Sequence, residues 1–200
     1  MKEDMLSDQD LIRRTKVVCL EGGKTQTADI AYRLATKEIE RGGTVYWVDG
    51  GSLLDPTRII PSTSQPSTIH LDRLQACRAF TAHQMAEIFK RMEKPRDGES
   101  PLEDGSLLIV TNAHSMFLDT QLGVVEGNML LRNTLHRIRR ISRTRGLAVL
   151  MTADRWTAPP TPTKVTALLE KISDEYIRLP IESKERGSLG KYGNSPKHFL

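Results

Sequence analysis

The sequence predicts an α/β domain with a mainly parallel central sheet and helices on both faces. Two observations carry this expectation. Residues 16–21 (KVVCLE), 44–49 (TVYWVD), 106–111 (SLLIVT) and 147–152 (LAVLMT) are apolar over most of their length rather than alternating, which is the pattern of strands buried on both faces. Stretches with helical spacing lie between them, and a strand–helix alternation builds a parallel sheet.

In chain order, residues 16–21 read as the first strand, followed at once by Gly22 and Gly23. Residues 25–40 have helical spacing, with Ala31, Leu34 and Ala35 on one side, and Arg41-Gly42-Gly43 stops the helix. Residues 44–49 are a second strand. The Pro- and Ser-rich residues 56–68 form a surface connection. Residues 74–80 read as a third strand, 81–92 as a helix and 94–105 as a polar loop. After the strand at 106–111, a helix runs over 129–145 and is closed by Gly146. The strand at 147–152 precedes an irregular Pro-rich stretch over 156–163, and residues 175–181 are a last strand. Neither a repeat nor a composition break divides the chain, so one domain is expected.

Bulk properties narrow the classes. A 200-residue chain with a 38% hydrophobic fraction has room for one domain with a sizeable core. No apolar run approaches the roughly 20 residues that span a bilayer. The opening MKEDMLSDQDLIRR lacks the apolar stretch of a signal peptide. The expected location is therefore cytoplasmic or nuclear, not secreted, with no membrane partner. The two cysteines, Cys19 and Cys77, have no metal-ligand spacing and read as reduced core thiols. A net charge of +4 permits nucleic-acid binding without requiring it.

The run Gly22-Gly23-Lys24-Thr25, placed between a strand and a helix, is the context in which a phosphate loop works. Backbone N–H groups and the helix N-terminus draw in phosphate oxygens, the lysine reaches the β and γ phosphates, and the hydroxyl binds Mg²⁺. The pattern G-x-x-x-x-G-K-[ST] is not met, because its first glycine would fall on Val18, inside the strand. On spacing alone a tight strand-to-helix turn with an exposed lysine explains the residues as well.

Three further segments carry a resemblance. They are residues 48–59 (VDGGSLLDPTRI), 74–85 (LQACRAFTAHQM) and 128–156 (NMLLRNTLHRIRRISRTRGLAVLMTADRW). In this order they resemble the D-T-E-G-x-F-x-P-x-R-[LI], R-A-[FY]…H-Q and long helix, G-x-A-V and T-N-Q segments of the RecA/RadA recombinase superfamily. The likeness spans most of residues 16–182 and implies a RecA-like core, with residues 1–15 an N-terminal extension and 183–200 a flexible tail. The family's separate N-terminal helical domain and an F-x-x-A-type polymerisation motif are not evident. In this the chain resembles recombinase paralogues such as RadB or degenerate Shu-complex subunits, which work as heteromers.

The same resemblance implies three losses. The family's catalytic glutamate falls on Gly51 and its Walker B aspartate on Thr111. In the T-N-Q motif Thr152 is kept, but the next positions are Ala153 and Asp154. Glycine accepts no proton from an attacking water, and phosphoryl transfer needs a positioned metal and a water-orienting group. Asp55 and Asp119 are the nearby acids that could substitute, and both read as solvated loop carboxylates. No catalytic residue is assigned and no cofactor is required, with ATP and Mg²⁺ held weakly, if at all, at residues Gly22, Gly23, Lys24 and Thr25.

The resemblance places two DNA-facing loops at about residues 118–128 and 154–166. The first carries two acids and no base; the second offers Arg155 and Lys164 among prolines. On the helix between them Arg132, His136, Arg139 and Arg143 form one basic stripe, opposite Leu131, Leu135 and Ile138. Such a stripe would bind phosphates in a salt-dependent, sequence-independent way, or would be a solvated helix face paired with acids from a neighbouring subunit. Trp47 reads as core, Trp156 as a stacking or packing residue, and Phe199 and Leu200 as a docking anchor in the tail.

The reading is a non-hydrolysing recombinase paralogue that binds a RecA-like partner or another paralogue, and DNA, in homologous recombination and repair. The competing readings are an active DNA-dependent ATPase with an unorthodox loop, and a RecA-fold scaffold of another DNA-processing complex.

Overall fold

In a computed structural model, the described residues are 15–59, 72–94, 101–154 and 162–180. They build one six-stranded, all-parallel sheet in the order β3-β2-β4-β5-β1-β6. The elements are β1 (Val17–Gly22), α1 (Lys24–Glu40), β2 (Val45–Asp49), β3 (Leu74–Arg78), α2 (Ala82–Glu93), β4 (Leu107–Thr111), α3 (Val124–Arg145), β5 (Ala148–Asp154), α4 (Thr163–Ile172) and β6 (Glu175–Arg178). Short 3₁₀ turns follow β2 and β4, at Pro56–Arg58 and Ala113–Leu118. The expected α/β class with helices on both faces is what the chain adopts.

Strand side chains alternate between two cores. Val18, Leu20, Trp47, Ile109 and Leu150 point to one face, where α1 covers them with Ala28, Ala31, Leu34, Ala35 and Ile39, joined by Ile59. Cys19, Val48, Leu108, Val110 and Met151 point to the other, under Phe89 of α2, Leu131, Leu135 and Ile138 of α3 and Leu169 of α4. Each such aliphatic or aromatic side chain stabilises the fold by about 1.5–3 kcal/mol when fully buried. Burial on both faces is why the central strands show no period of two. Trp47 is in this core, as expected.

Helix ends follow local chemistry. Thr81 caps α2 by accepting from the Gln84 N–H (3.2 Å), while the Gln84 carboxamide accepts from the Phe80 N–H (2.9 Å). Gly146 ends α3 at φ 65°, a left-handed value that suits glycine. Among the described residues no helix is long and apolar enough to cross a membrane.

Four expectations need correction. The long helix starts at Val124, not at residue 129. Gly127 sits inside it because a Cβ there would collide with the Phe117 carbonyl oxygen, so close packing, not a loop, accounts for the glycine. Residues 163–166, read as the end of a DNA-facing loop, are the first turn of α4, which runs to Ile172 and buries Val165, Leu169 and Ile172 on one side. Cys77 is exposed rather than core, because β3 is an edge strand whose residues from Gln75 to Arg78 are all exposed. The last strand ends at Arg178, three residues early, and Leu179 and Pro180 leave the sheet.

Candidate functional site

β1 runs to Gly22, which is still in register with Asp154 of β5, and α1 begins at Lys24. Gly23 alone joins them, at φ −64° and ψ 145°. No loop curls outward at this turn, so the ring of amides that would wrap a triphosphate is missing there. The space beside the turn is also taken. A Cβ on Gly22 would lie 2.9 Å from Leu179 Cδ1. The Leu179 N–H donates to the Glu21 carbonyl (2.8 Å), and the Gln26 carboxamide donates to the Pro180 carbonyl (3.3 Å). Thr27 turns its hydroxyl back onto the Gly23 carbonyl (3.2 Å). Lys24 and Thr25 are exposed at the start of α1. The uncapped N-terminus and the lysine suit a single anion better than a wrapped triphosphate.

The positions matched to the catalytic carboxylates have other work. Asp49, at the end of β2, is fully buried. It accepts from the N–H groups of Gly51, Leu53 and Leu54 (each 3.1 Å) and from the Thr111 hydroxyl (2.8 Å). It also accepts from the Arg78 guanidinium (2.9 and 3.0 Å). Burial alone would raise its pKa, but these donors outweigh burial and hold it below the ordinary carboxylate value. The carboxylate is spent on pinning the turn after β2 and the edge strand β3. Thr111 itself accepts from the Trp47 indole N–H (3.4 Å).

Asn112 adopts φ 45° at the end of β4. Its N–H donates to the carbonyl and hydroxyl oxygens of Thr152 (3.1 and 3.0 Å), and its side-chain oxygen accepts from the Asp154 N–H (3.3 Å). Thr152 therefore ties β4 to β5. His114 is buried just beyond, where burial depresses its pKa to about 4 against the opposing pull of Asp154 and Glu21. Asp55 caps the 3₁₀ turn through the Thr57 N–H (3.0 Å) and hydroxyl (2.6 Å), and Asp119 accepts from the Gln121 N–H (2.9 Å). Both are structural loop acids. Among the described residues no cluster of three or more His, Cys, Asp or Glu side chains is arranged to hold a metal ion.

Two of the four residues of the α3 basic stripe, Arg139 and Arg143, are engaged within the chain, as are the neighbouring Arg137, Arg140 and Arg145. Asp174 draws Arg143 (3.3 Å) and Arg139 (3.8 Å) toward the start of β6. Glu93 at the end of α2 binds Arg137 and Arg140 (2.7 Å to the latter), and Asp104 meets Arg145 (3.3 Å). Arg132 and His136 are exposed on α3 and Lys164 on α4, and none has an acidic partner among the described residues. Arg155, Trp156, Phe199 and Leu200 lie outside the described residues. The first of the two expected loops is, from Val124 on, helix, and the second is helix from Thr163.

No protein-family model matches this chain, and no curated protein matches it either.

Sequence reasoning placed Asp49 on the right strand end but not at the centre of a donor cluster, and it missed Arg78, Glu93 and Asp174 as partners. These pairs join residues 29, 44 and 31 positions apart, so no local spacing could reveal them.

Proposed function

We propose that this chain is a non-hydrolysing RecA-like subunit that supports homologous recombination and repair by binding a RecA-like partner and, weakly, DNA. What supports the reading most is the turn at Gly23: a single residue joins β1 to α1 where a phosphate loop would have to stand. The neutral residues at Gly51 and Thr111 point the same way, since positioned carboxylates and a metal are what phosphoryl transfer requires. A chain that keeps a core of this kind without its hydrolytic groups acts through what it binds.

DNA contact draws on the cations not already held by acids, Arg132 and Lys164, rather than on Arg139 and Arg143. Binding of that kind is weak, sequence-independent and salt-sensitive.

Co-expression with a RecA-like recombinase or paralogue from the same source tests the reading. A stoichiometric complex that survives gel filtration is the expected result. Recovery of the chain alone from every such pairing would count against it.

A further inference from the structure

The outward face of α3 carries one group whose charge is not fixed. His136 is exposed, one turn beyond the exposed Arg132 and one turn before Arg139 and Arg140. Residues four apart on a helix are surface neighbours, and these two positions lie about 6 Å apart along the axis. A nucleic-acid strand with one phosphate on Arg132 therefore brings the next within reach of the His136 ring.

The charges on either side of this ring are engaged elsewhere. Arg139 is drawn to Asp174, ahead of β6 (3.8 Å), and donates to the Lys171 carbonyl of α4 (3.4 Å). Arg140 is held by Glu93 at the end of α2 (2.7 Å), and Glu87 of α2 is taken by Lys90 and Arg91 (3.4 and 3.0 Å). His136 itself forms no ion pair among the described residues. Histidine is the side chain that ordinarily changes charge between about pH 5 and 8. A neutral ring offers a phosphate only an ordinary hydrogen bond, whereas an imidazolium offers a charge-assisted one. Arg132 opposes the added proton and a bound phosphate offsets that opposition, so protonation and phosphate binding favour each other.

We infer that His136 makes the nucleic-acid contact of α3 pH-dependent: the protonated ring holds a second phosphate beside the one on Arg132, and the neutral ring releases it. This response rests on the reading of α3 as a weak DNA-binding face and adds regulation by pH to it. Its sign is fixed, because the charged form is the one that binds: affinity rises as pH falls.

Fluorescence anisotropy of the full chain with a labelled single-stranded oligonucleotide tests it, in a salt series at about pH 5.5 and at about pH 8. Circular dichroism at both values checks that each protein is folded. Wild type should bind about two- to fivefold more tightly at the lower pH, the size of one exposed ion pair. Its salt dependence there should steepen by about one phosphate contact. His136→Gln should lose most of this response. His136→Arg, whose charge is permanent, should bind at both pH values as wild type does at the lower one. Binding by wild type that is the same at both pH values, or a full pH response in His136→Gln, would overturn the inference and leave the DNA reading standing. No binding at either pH would overturn both.

Discussion

The Thr111 hydroxyl donates to Asp49 Oδ1 at 2.8 Å, across the adjoining carboxyl ends of β4 and β2. The position that the RecA-like resemblance matches to a metal-organising aspartate is thus a hydrogen-bond donor to another, fully buried carboxylate. The two roles exclude each other, because an aspartate at residue 111 would set two carboxylates side by side.

Restoring the family residue is therefore expected to harm the protein. Thr111→Asp should destabilise it by about 3 kcal/mol or more unless the new carboxyl takes up a proton. Thr111→Val, which only removes the donor, should cost about 1–3 kcal/mol. Urea denaturation monitored by circular dichroism separates the two. Equal stability of Thr111→Asp and wild type would contradict the packing argument.

Gly51→Glu tests the second lost position. A Cβ at Gly51 would lie 3.0 Å from the Asn112 Cβ, and Asn112 is itself held by Thr152. The side chain has little room, so a loss of about 1–3 kcal/mol is expected. The double variant Gly51→Glu with Thr111→Asp should gain no ATP turnover, since neither change supplies a phosphate loop.

Much of this architecture was legible in the sequence. Unbroken apolar strands and the glycines after α1 and α3 gave the sheet and its order along the chain. The errors have physical causes. Pro159, Pro160 and Pro162 drew attention from Val165, Leu169 and Ile172, whose spacing already marked α4. Gly127 looked like a loop residue because a glycine needed for close packing and one needed for a turn read alike. Cys77 looked buried because an edge strand can be as apolar as a central one. The donor cluster on Asp49 depends on strand neighbours that only the fold brings together.

Acid should destabilise the chain in two stages. His114 titrates at about 4 when folded against 6.5 when exposed, so the unfolded chain binds the extra proton between these values. Stability from this group is complete above pH 6.5 and falls by roughly 3 kcal/mol as pH drops to about 4. Asp49, whose folded value is depressed below 3.8, adds a further loss only below that pH. Denaturation curves for His114→Gln should be flatter than wild type between pH 6.5 and 4, whereas Asp49→Asn should flatten the profile only below pH 3.8.

DNA binding should respond to the free cations and not to the tethered ones. Arg132→Ala is expected to weaken binding and lower the salt slope by about one phosphate contact. Arg139→Ala and Arg143→Ala should change little. Asp174→Asn, which removes the carboxylate that draws in Arg143 and Arg139, should strengthen binding. Fluorescence anisotropy with a labelled oligonucleotide across a salt series reads all three effects. Arg143→Ala matching or exceeding Arg132→Ala would contradict the assignment.

The most direct test of the account is nucleotide binding and turnover on the purified chain, with a labelled ATP analogue and Lys24→Ala as the control. The closed turn at Gly23 and the engaged Asp49–Thr111 pair predict no lysine-dependent hydrolysis and, at most, weak anion-like binding that inorganic phosphate displaces. Turnover that disappears in Lys24→Ala would contradict the account and make the chain an enzyme.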